Sequence, residues 1–351
     1  MAISWSRGAR KSTSRNAAVT TSDQPLESHT ETSPDSESEN HYVVIVNPIS
    51  GRGNGEKFFP IIENHLRQLG VHFEMVRTQN PGHATQLAEE ASSAGCGVVV
   101  AVGGDGTANE VLNGLVRARQ NGNGQAAMAL IPIGRGNDFA FGVGVPSQLA
   151  DACRALVEGK RKWIDVGWVR GGDYPEGRCF GNGVGIGFDA VVGFEALKLK
   201  RLHGFPSYIV AALKTIFLYY RAPTVRIEFN GQELILPALM VSIMNGRRMG
   251  GGFFMAPEGL TDDGMFDLCI ARQVSRPAIF LLIPRFMQGS QAGHPAITMV
   301  RADQVAITAL EGSLPAHADG ETLCYAGERL ELSIFPRMLE ILIPHDEGKA
   351  K

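Results

Sequence analysis

The sequence has no excess of either charge: 33 Lys and Arg stand against 36 Asp and Glu, a net charge of −3. A dedicated nucleic-acid binder usually carries a strongly basic domain, so that class is excluded. No stretch approaches the ~18 consecutive apolar residues of a membrane span. The run from Leu234 to Met244 holds Pro237 and Ser242 and suits a buried strand. No signal-peptide core is found near residue 1, so membrane contact is expected to be peripheral. Cysteine is scarce: five residues (96, 153, 179, 269 and 324) with no CxxC pair. They read as reduced thiols of a cytoplasmic protein, neither a disulfide frame nor a zinc site.

Glycine, by contrast, is abundant. It makes up 42 of 351 residues, well above the usual ~7%, with no Gly-X-Y period. Collagen is out, and glycine-rich functional loops are in. Hydrophobic residues at 44% and charged ones at 20% supply real cores, and the length predicts two domains.

The first 40 residues form their own zone. Up to Ser22 the only charges are Arg7, Arg10, Lys11 and Arg15; from Asp23 to Glu39 there are six acids and no base. Such a segment has too little apolar surface to pack. Its Arg- and Ser-rich start also admits an organelle transit peptide, which the acidic half contradicts.

From His41 the pattern alternates. Buried strands are predicted at Tyr42–Val46, Val98–Val102 and Met128–Pro132, with another strand at Val71–Arg77. Helices are predicted at Glu56–Gln68, His83–Ala94 and from about Asn109 to Gln120. Continuous apolar strands alternating with helices mean a doubly wound parallel sheet. After about Asp165 strand-like runs dominate, interrupted by one amphipathic helix from Phe205 to Tyr220. The expected architecture is α/β plus all-β. It comprises a tail at 1–40, an α/β nucleotide domain at 41–165 (with a returning strand near 337–345) and a β-rich domain at 166–336.

The strongest local signal follows Val98–Val102: Gly103-Gly104-Asp105-Gly106-Thr107-Ala108-Asn109. Glycines let backbone N–H groups approach an anion, and a helix N-terminus adds a positive dipole end. An Asp there repels bare phosphate, and makes sense if Mg²⁺ bridges the two or if it steers a reacting group. A second loop, Pro132 to Phe139, ends the next strand, and a third, Ser50 to Gly55, ends the first; neither is a Walker A motif. Gly181 to Gly187 has dinucleotide-like spacing outside any βαβ unit and reads as a closely packed glycine strand. The loop from Ala256 to Asp267 offers carboxylates and carbonyls for a hard cation, or is a solvated acidic turn. His317-Ala318-Asp319-Gly320-Glu321 is, from spacing alone, equally an acidic β-turn.

Taken together, the chain resembles the lipid kinase superfamily of diacylglycerol and sphingosine kinases, in its soluble bacterial branch. The resemblance runs from Tyr42 to about Pro344. It rests on Asn47-Pro48 with Ser50-Gly51, Gly103 to Thr107 with Asn109-Glu110, and Pro132 to Ala140. Gly187-Phe188-Asp189, Asp263-Gly264 with Asp267, and Asp319-Gly320-Glu321 complete the set. Gly-Gly-Asp-Gly alone also occurs in NAD kinases and phosphofructokinases; the ordered set is more specific.

This resemblance implies a C-terminal β-sandwich, an interdomain active site, and ATP-dependent phosphorylation of a lipid hydroxyl, first of all diacylglycerol. Sphingoid base or NAD⁺ are alternative acceptors, and a non-catalytic lipid-binding relative is a further alternative. Carried over by position, Asn47, Thr78 and Gly103 to Asn109 contact ATP. Asp105 and Glu321 are catalytic, Glu321 as proton acceptor, and Asp138 and Asp165 hold the acidic network around magnesium. Asp263, with the carbonyls of Leu260 and Met265, forms a structural Mg²⁺ loop sensitive to chelator. Arg135 stands where the family usually has Thr, and an Arg there binds phosphate or alters nucleotide choice. The lipid is expected at a membrane surface, with no nucleic acid, and a homodimer is admitted. Lys198, Lys200, Arg201 and His203 beside the 205–220 helix suit an anionic bilayer, while the helix itself suits burial at the domain junction.

Overall fold

The computed structural model describes residues 41–198, 205–218 and 222–345. The expected tail at 1–40, and Lys200, Arg201, His203 and Tyr220, lie outside them. The first lobe alternates strand and helix: β1 (His41–Val46), α1 (Ser50–Gln68), β2 (His72–Arg77), α2 (His83–Ser93), β3 (Val98–Gly103), α3 (Asp105–Gln120) and β4 (Ala127–Pro132), then α4 (Asp138–Val143) and α5 (Leu149–Glu158). β1 pairs in parallel with β2 and β3, and β3 with β4. The order is therefore 2-1-3-4, and the winding direction reverses between β1 and β3. A crevice opens there at the carboxyl ends of the strands, where open α/β sheets take their ligands. Val98 to Val102 are all almost fully buried, because helices cover both faces of the sheet.

The second lobe contains β5 (Lys160–Gly171), β6 (Tyr174–Phe180), β7 (Gly183–Gly187), α6 (Phe188–Lys198), α7 (Phe205–Leu218), β8 (Thr224–Phe229), β9 (Gln232–Met244), β10 (Phe266–Arg272), α8 (Arg276–Gln288), β11 (Ile297–Ala302), β12 (Gln304–Glu311), β13 (Leu314–Ala318), β14 (Glu321–Gly327) and β15 (Arg329–Ile343). β9 belongs to both sheets of a sandwich. Its first half pairs with β8, and its second half lies between β7 and β10. Phe180, Val241, Ile243, Phe266 and Leu268 fill the space between the sheets.

Two long strands join the lobes. β5 and β15 run antiparallel from Leu330 opposite Gly171 to Ile343 opposite Lys160, and Ile341 of β15 also lies beside Met128 of β4. The junction is thus two continuous strands, with β15 irregular between Phe335 and Leu339.

Sequence patterning gives one helix in this lobe, whereas its described residues hold three. α6 has apolar residues on every side and so no amphipathic period. α8 carries Pro277 and Pro284, which read as breakers; Pro277 sits in the first turn, where a missing N–H costs nothing. These three helices pack on the outer face of β7, β9 and β10 as a separate apolar layer that includes Phe188, Ala212, Met240, Cys269 and Leu282. No described helix is long and apolar enough to cross a membrane. All five cysteines are buried and free.

Candidate active site

Three glycine loops meet at the carboxyl ends of β1, β3 and β4. A Cβ on Gly134 would lie 2.3 Å from the Cα of Gly104, and one on Gly51 would lie 2.3 Å from the carbonyl oxygen of Ile133. Only glycine permits backbone to touch backbone in this way. Asn47 stitches the crevice: its Nδ2 donates to Thr107 Oγ1 at 3.0 Å, and its Oδ1 accepts from the Ile49 N–H at 3.2 Å. Gly51, Arg52 and Gly53 all have positive φ, so the first turn of α1 is a left-handed loop. Thr78 follows β2 on the same side, its N–H bonded to Val46 O at 2.9 Å.

Asp105 opens α3. Its Oδ1 accepts from the Phe139 N–H of the second loop at 3.1 Å. Burial raises its pKa, as does the charge of Asp319. Asp138 lies beside it. The Asp138 carboxylate accepts from Arg248 Nε at 2.9 Å and from the Gly251 N–H at 3.0 Å. Burial, then the Asp105 charge, push Asp138 up to about 7. Arg248 stacks 3.8 Å over the Phe141 ring, which fixes the guanidinium between the lobes. Tyr208, on α7, feels both carboxylates; burial and their charge push its phenol up to about 12. Sequence reasoning missed Arg248 and the polar role of Tyr208, since neither belongs to a local motif. Arg135 is exposed at the tip of the second loop.

Glu321, at the start of β14, reaches across to the α3 turn. Its Oε1 lies 2.7 Å from where a Cβ on Gly106 would stand. The structure therefore brings Glu321 to the Gly103–Gly106 turn, as the expected catalytic pairing requires.

Three expected site residues are turned elsewhere. Asn109 is 1% exposed, and its Nδ2 donates to Cys179 O at 3.0 Å and to Asp319 Oδ2 at 2.9 Å. Its Oδ1 accepts from Arg178. With every polar atom engaged by the second lobe, it joins the lobes instead of touching nucleotide. Asp165 is also no part of the acidic network. It is fully buried, and its carboxylate accepts from the Gly264 N–H at 2.6 Å and the Arg337 N–H at 2.8 Å. It fastens the strand junction.

Asp263 is the third. Its Oδ1 accepts from the Met265 N–H at 3.1 Å, and its Oδ2 is held by Arg301. Arg301 also lies 3.6 Å from Asp267, its cross-strand partner. Both carboxylate oxygens are spoken for, and a guanidinium supplies the positive charge. The donor set of Leu260, Asp263 and Met265 does not fit a resident Mg²⁺ as arranged, because its one carboxylate is already ion-paired. We accordingly expect a chelator to leave the thermal midpoint of the purified protein unmoved, while Arg301→Ala lowers it by a few degrees. The change unpairs two half-buried acids, roughly 1–2 kcal/mol. A midpoint that falls with chelator in the wild type would reinstate the metal.

Asp319 has a different role from its neighbour Glu321. Its carboxylate accepts from the N–H groups of Gly181, Asn182 and Gly183 at 2.7–3.0 Å. The Gly181–Gly187 run is thus a closely packed glycine strand, as read from sequence, and its N–H groups cradle a carboxylate of the chain itself.

Asp105, Asp138, Asp319 and Tyr208 line one end of a pocket whose remainder, apart from Asn182, Asp189 and His317, is apolar. Phe188, Leu239, Met240, Ile279, Leu282 and Phe286 line that part, between α6, α7 and α8. In its wall Asp189 is buried too, and burial pushes its carboxyl up to about 7. For an acid, a raised native pKa means stability fully present below the unfolded value near 3.9 and lost as pH rises through about 7. Asp138 and Asp189 both act in this sense. The thermal midpoint is expected to fall between pH 5 and 8, and less steeply in Asp189→Asn. A midpoint rising over that range would contradict the assignment.

Two family models match: the diacylglycerol kinase catalytic domain over residues 41–169, and the YegS C-terminal NAD kinase beta sandwich-like domain over 182–343. Among curated relatives, a "Probable lipid kinase YegS-like" protein of Enterobacter sp. (strain 638) is 30% identical, covering 85% of this chain and 95% of its own. A "Diacylglycerol kinase" of Bacillus subtilis (strain 168) is 28% identical, covering 79% and 88%. A crystal structure of a diacylglycerol kinase from Bacillus anthracis str. Sterne shares the fold, with a TM-score of 0.66 at 22% identity over 87% of this chain and 97% of that one.

Proposed function

The chain belongs to the lipid kinase family defined by the diacylglycerol kinase catalytic domain, and from that premise we propose that it transfers the γ-phosphate of ATP to the hydroxyl of a lipid alcohol, diacylglycerol first among them. One observation carries the lipid half of this reading: the carboxylates at the glycine loops and the apolar side chains of α6, α7 and α8 line the same pocket. A phosphate-handling loop would place the reacting hydroxyl at the polar end while the acyl chain lies along Phe188, Leu239 and Leu282. NAD⁺, a polar acceptor, gives such a wall nothing to bury, which favours the lipid over an NAD kinase.

In phosphoryl transfer most of the catalysis is positioning and neutralisation of charge. The N–H groups of the Gly103–Gly106 turn and the start of α3 suit the phosphates of MgATP, which arrives as substrate. Asp105 steers that complex, and Arg135 and Arg248 offer positive charge. The lipid oxygen attacks the γ-phosphorus, a new O–P bond forms, and the bond to the β-phosphate oxygen breaks, releasing ADP. Glu321, at the same turn, takes the hydroxyl proton. Asn47 and Thr107 hold the turn through their mutual bond and keep an N–H and an O–H for the nucleotide.

Leu281 is 75% exposed. With Phe280, Val210 and Leu213 it gives α7 and α8 an apolar outer side near the pocket. This side meets the bilayer, from which the acceptor enters without a spanning helix. The test is an acceptor panel with ATP: diacylglycerol, ceramide and NAD⁺. Label entering diacylglycerol supports the reading; label entering NAD⁺ alone overturns it.

A further inference from the structure

Within the apolar layer under α6, α7 and α8, one row of the sheet is polar. Ser242 of β9, Gly185 of β7 and His317 of β13 lie side by side in register. Ser242 is flanked along its strand by Met240 and Met244 on the same face, and across β10 by Cys269. Gly185, in the middle, leaves a gap: a Cβ there would lie 2.6 Å from His317 Nε2 and 2.7 Å from Asp189 Oδ2. Asp189 comes over this gap from the first turn of α6.

The hydrogen bonding of this group is incomplete. Ser242 Oγ donates to Asp189 Oδ2 at 2.7 Å, and the Ala190 N–H donates to Oδ1 at 2.9 Å. No cationic side chain among the described residues acts on Asp189. His317 Nδ1 is buried without a partner. Asp189 and His317 both line the apolar pocket. Ser242 has already spent its proton, so above pH 7, where Asp189 is ionised, what the group still offers is acceptor capacity: the second lone pairs of a carboxylate. Buried polar atoms left unmatched in a pocket wall call for a partner.

We propose that Asp189, Ser242 and His317 form a second polar subsite of the lipid pocket, which accepts a hydrogen-bond donor on the lipid backbone beside the hydroxyl that is phosphorylated. Asp189 contacts that donor, Ser242 orients Asp189, and His317 closes the gap beside it. The proposal rests on the lipid kinase reading above. Diacylglycerol has no donor left once its hydroxyl is committed to transfer, since its two esters are acceptors. Monoacylglycerol has a second hydroxyl, and a sphingoid base has an ammonium. The subsite extends the acceptor range to such single-chain lipids, because a hydrogen bond there offsets the apolar contacts of the acyl chain they lack.

The experiment measures kcat and KM of the full chain with ATP and chain-matched 1-monooleoylglycerol, sphingosine and 1,2-dioleoylglycerol in mixed micelles. Asp189→Asn is expected to lower the kcat/KM ratio of a donor-bearing lipid to diacylglycerol at least tenfold, chiefly through KM. Ser242→Ala, which removes only the orienting hydroxyl, should shift the ratio the same way and keeps the test available if Asp189→Asn folds poorly. A fall confined to monooleoylglycerol assigns the subsite to a hydroxyl; one confined to sphingosine assigns it to an ammonium. Ratios within twofold of wild type in the variants would overturn the proposal and leave the group a structural one. A wild type that phosphorylates none of the three lipids would instead overturn the kinase reading, and the subsite with it.

Discussion

Asp319→Ala is expected to lower the stability of the protein by roughly 3–5 kcal/mol, since it strands three or four buried donors at ~1–3 kcal/mol each, less what water recovers. The donors are the N–H groups of Gly181, Asn182 and Gly183 and the Nδ2 of Asn109. The first three sit at the start of the glycine strand β7, and the last comes from the opposite lobe, so one carboxylate holds the end of a strand and joins the two lobes. Asp319 also occupies left-handed backbone, with φ 48°, which Asn tolerates better than Ala. Asp319→Asn should therefore fall between alanine and the wild type. Urea unfolding is the measurement; a loss below about 1 kcal/mol for the alanine variant would mean that the lobes are held elsewhere.

Asp105→Asn is expected to do the reverse, sparing the fold and stopping the reaction. The amide oxygen still accepts from the Phe139 N–H, and repulsion by Asp138 and Asp319 is relieved, so stability should stay within about 1 kcal/mol of wild type. The group lost is the one charge inside the glycine turn, placed where phosphates and their Mg²⁺ would lie. A preorganised electrostatic group of this kind is worth ~10²–10³ in kcat. A variant retaining more than about a tenth of wild-type turnover would show that the turn is structural only.

The two outcomes separate residues that local spacing could not. Asp319 and Glu321 stand two apart in one acidic turn, yet Asp319 points into a cradle of backbone N–H groups while Glu321 reaches Gly106. The partners of Asp319 lie 136 to 210 positions away, and no pattern within the turn encodes them. The same holds for Asn109 and Asp165: the resemblance implies a place for each in the nucleotide and magnesium site, and each is consumed by the junction between lobes. What the sequence does display is whatever short-range physics dictates. Val98 to Val102 reads as a central strand because helices bury it on both sides, and Gly104 and Gly134 stand out because their loops must touch. α6 was invisible because a helix packed on all sides has no polar face to set a period. Arg301 was hidden for a related reason, since its bond to Asp263 crosses from β11 to the loop before β10.

The central claim, that this pocket brings a nucleotide's phosphate to a lipid hydroxyl, is tested most directly by following label from ATP marked in its γ-phosphate. The protein is incubated with MgATP and diacylglycerol in mixed micelles, and the organic phase is resolved by thin-layer chromatography. We expect label in phosphatidic acid with wild type and a loss of at least a hundredfold with Asp105→Asn, in keeping with the electrostatic role argued for that carboxylate. Label that stays in ATP and inorganic phosphate, with no labelled lipid from any acceptor, would contradict the account.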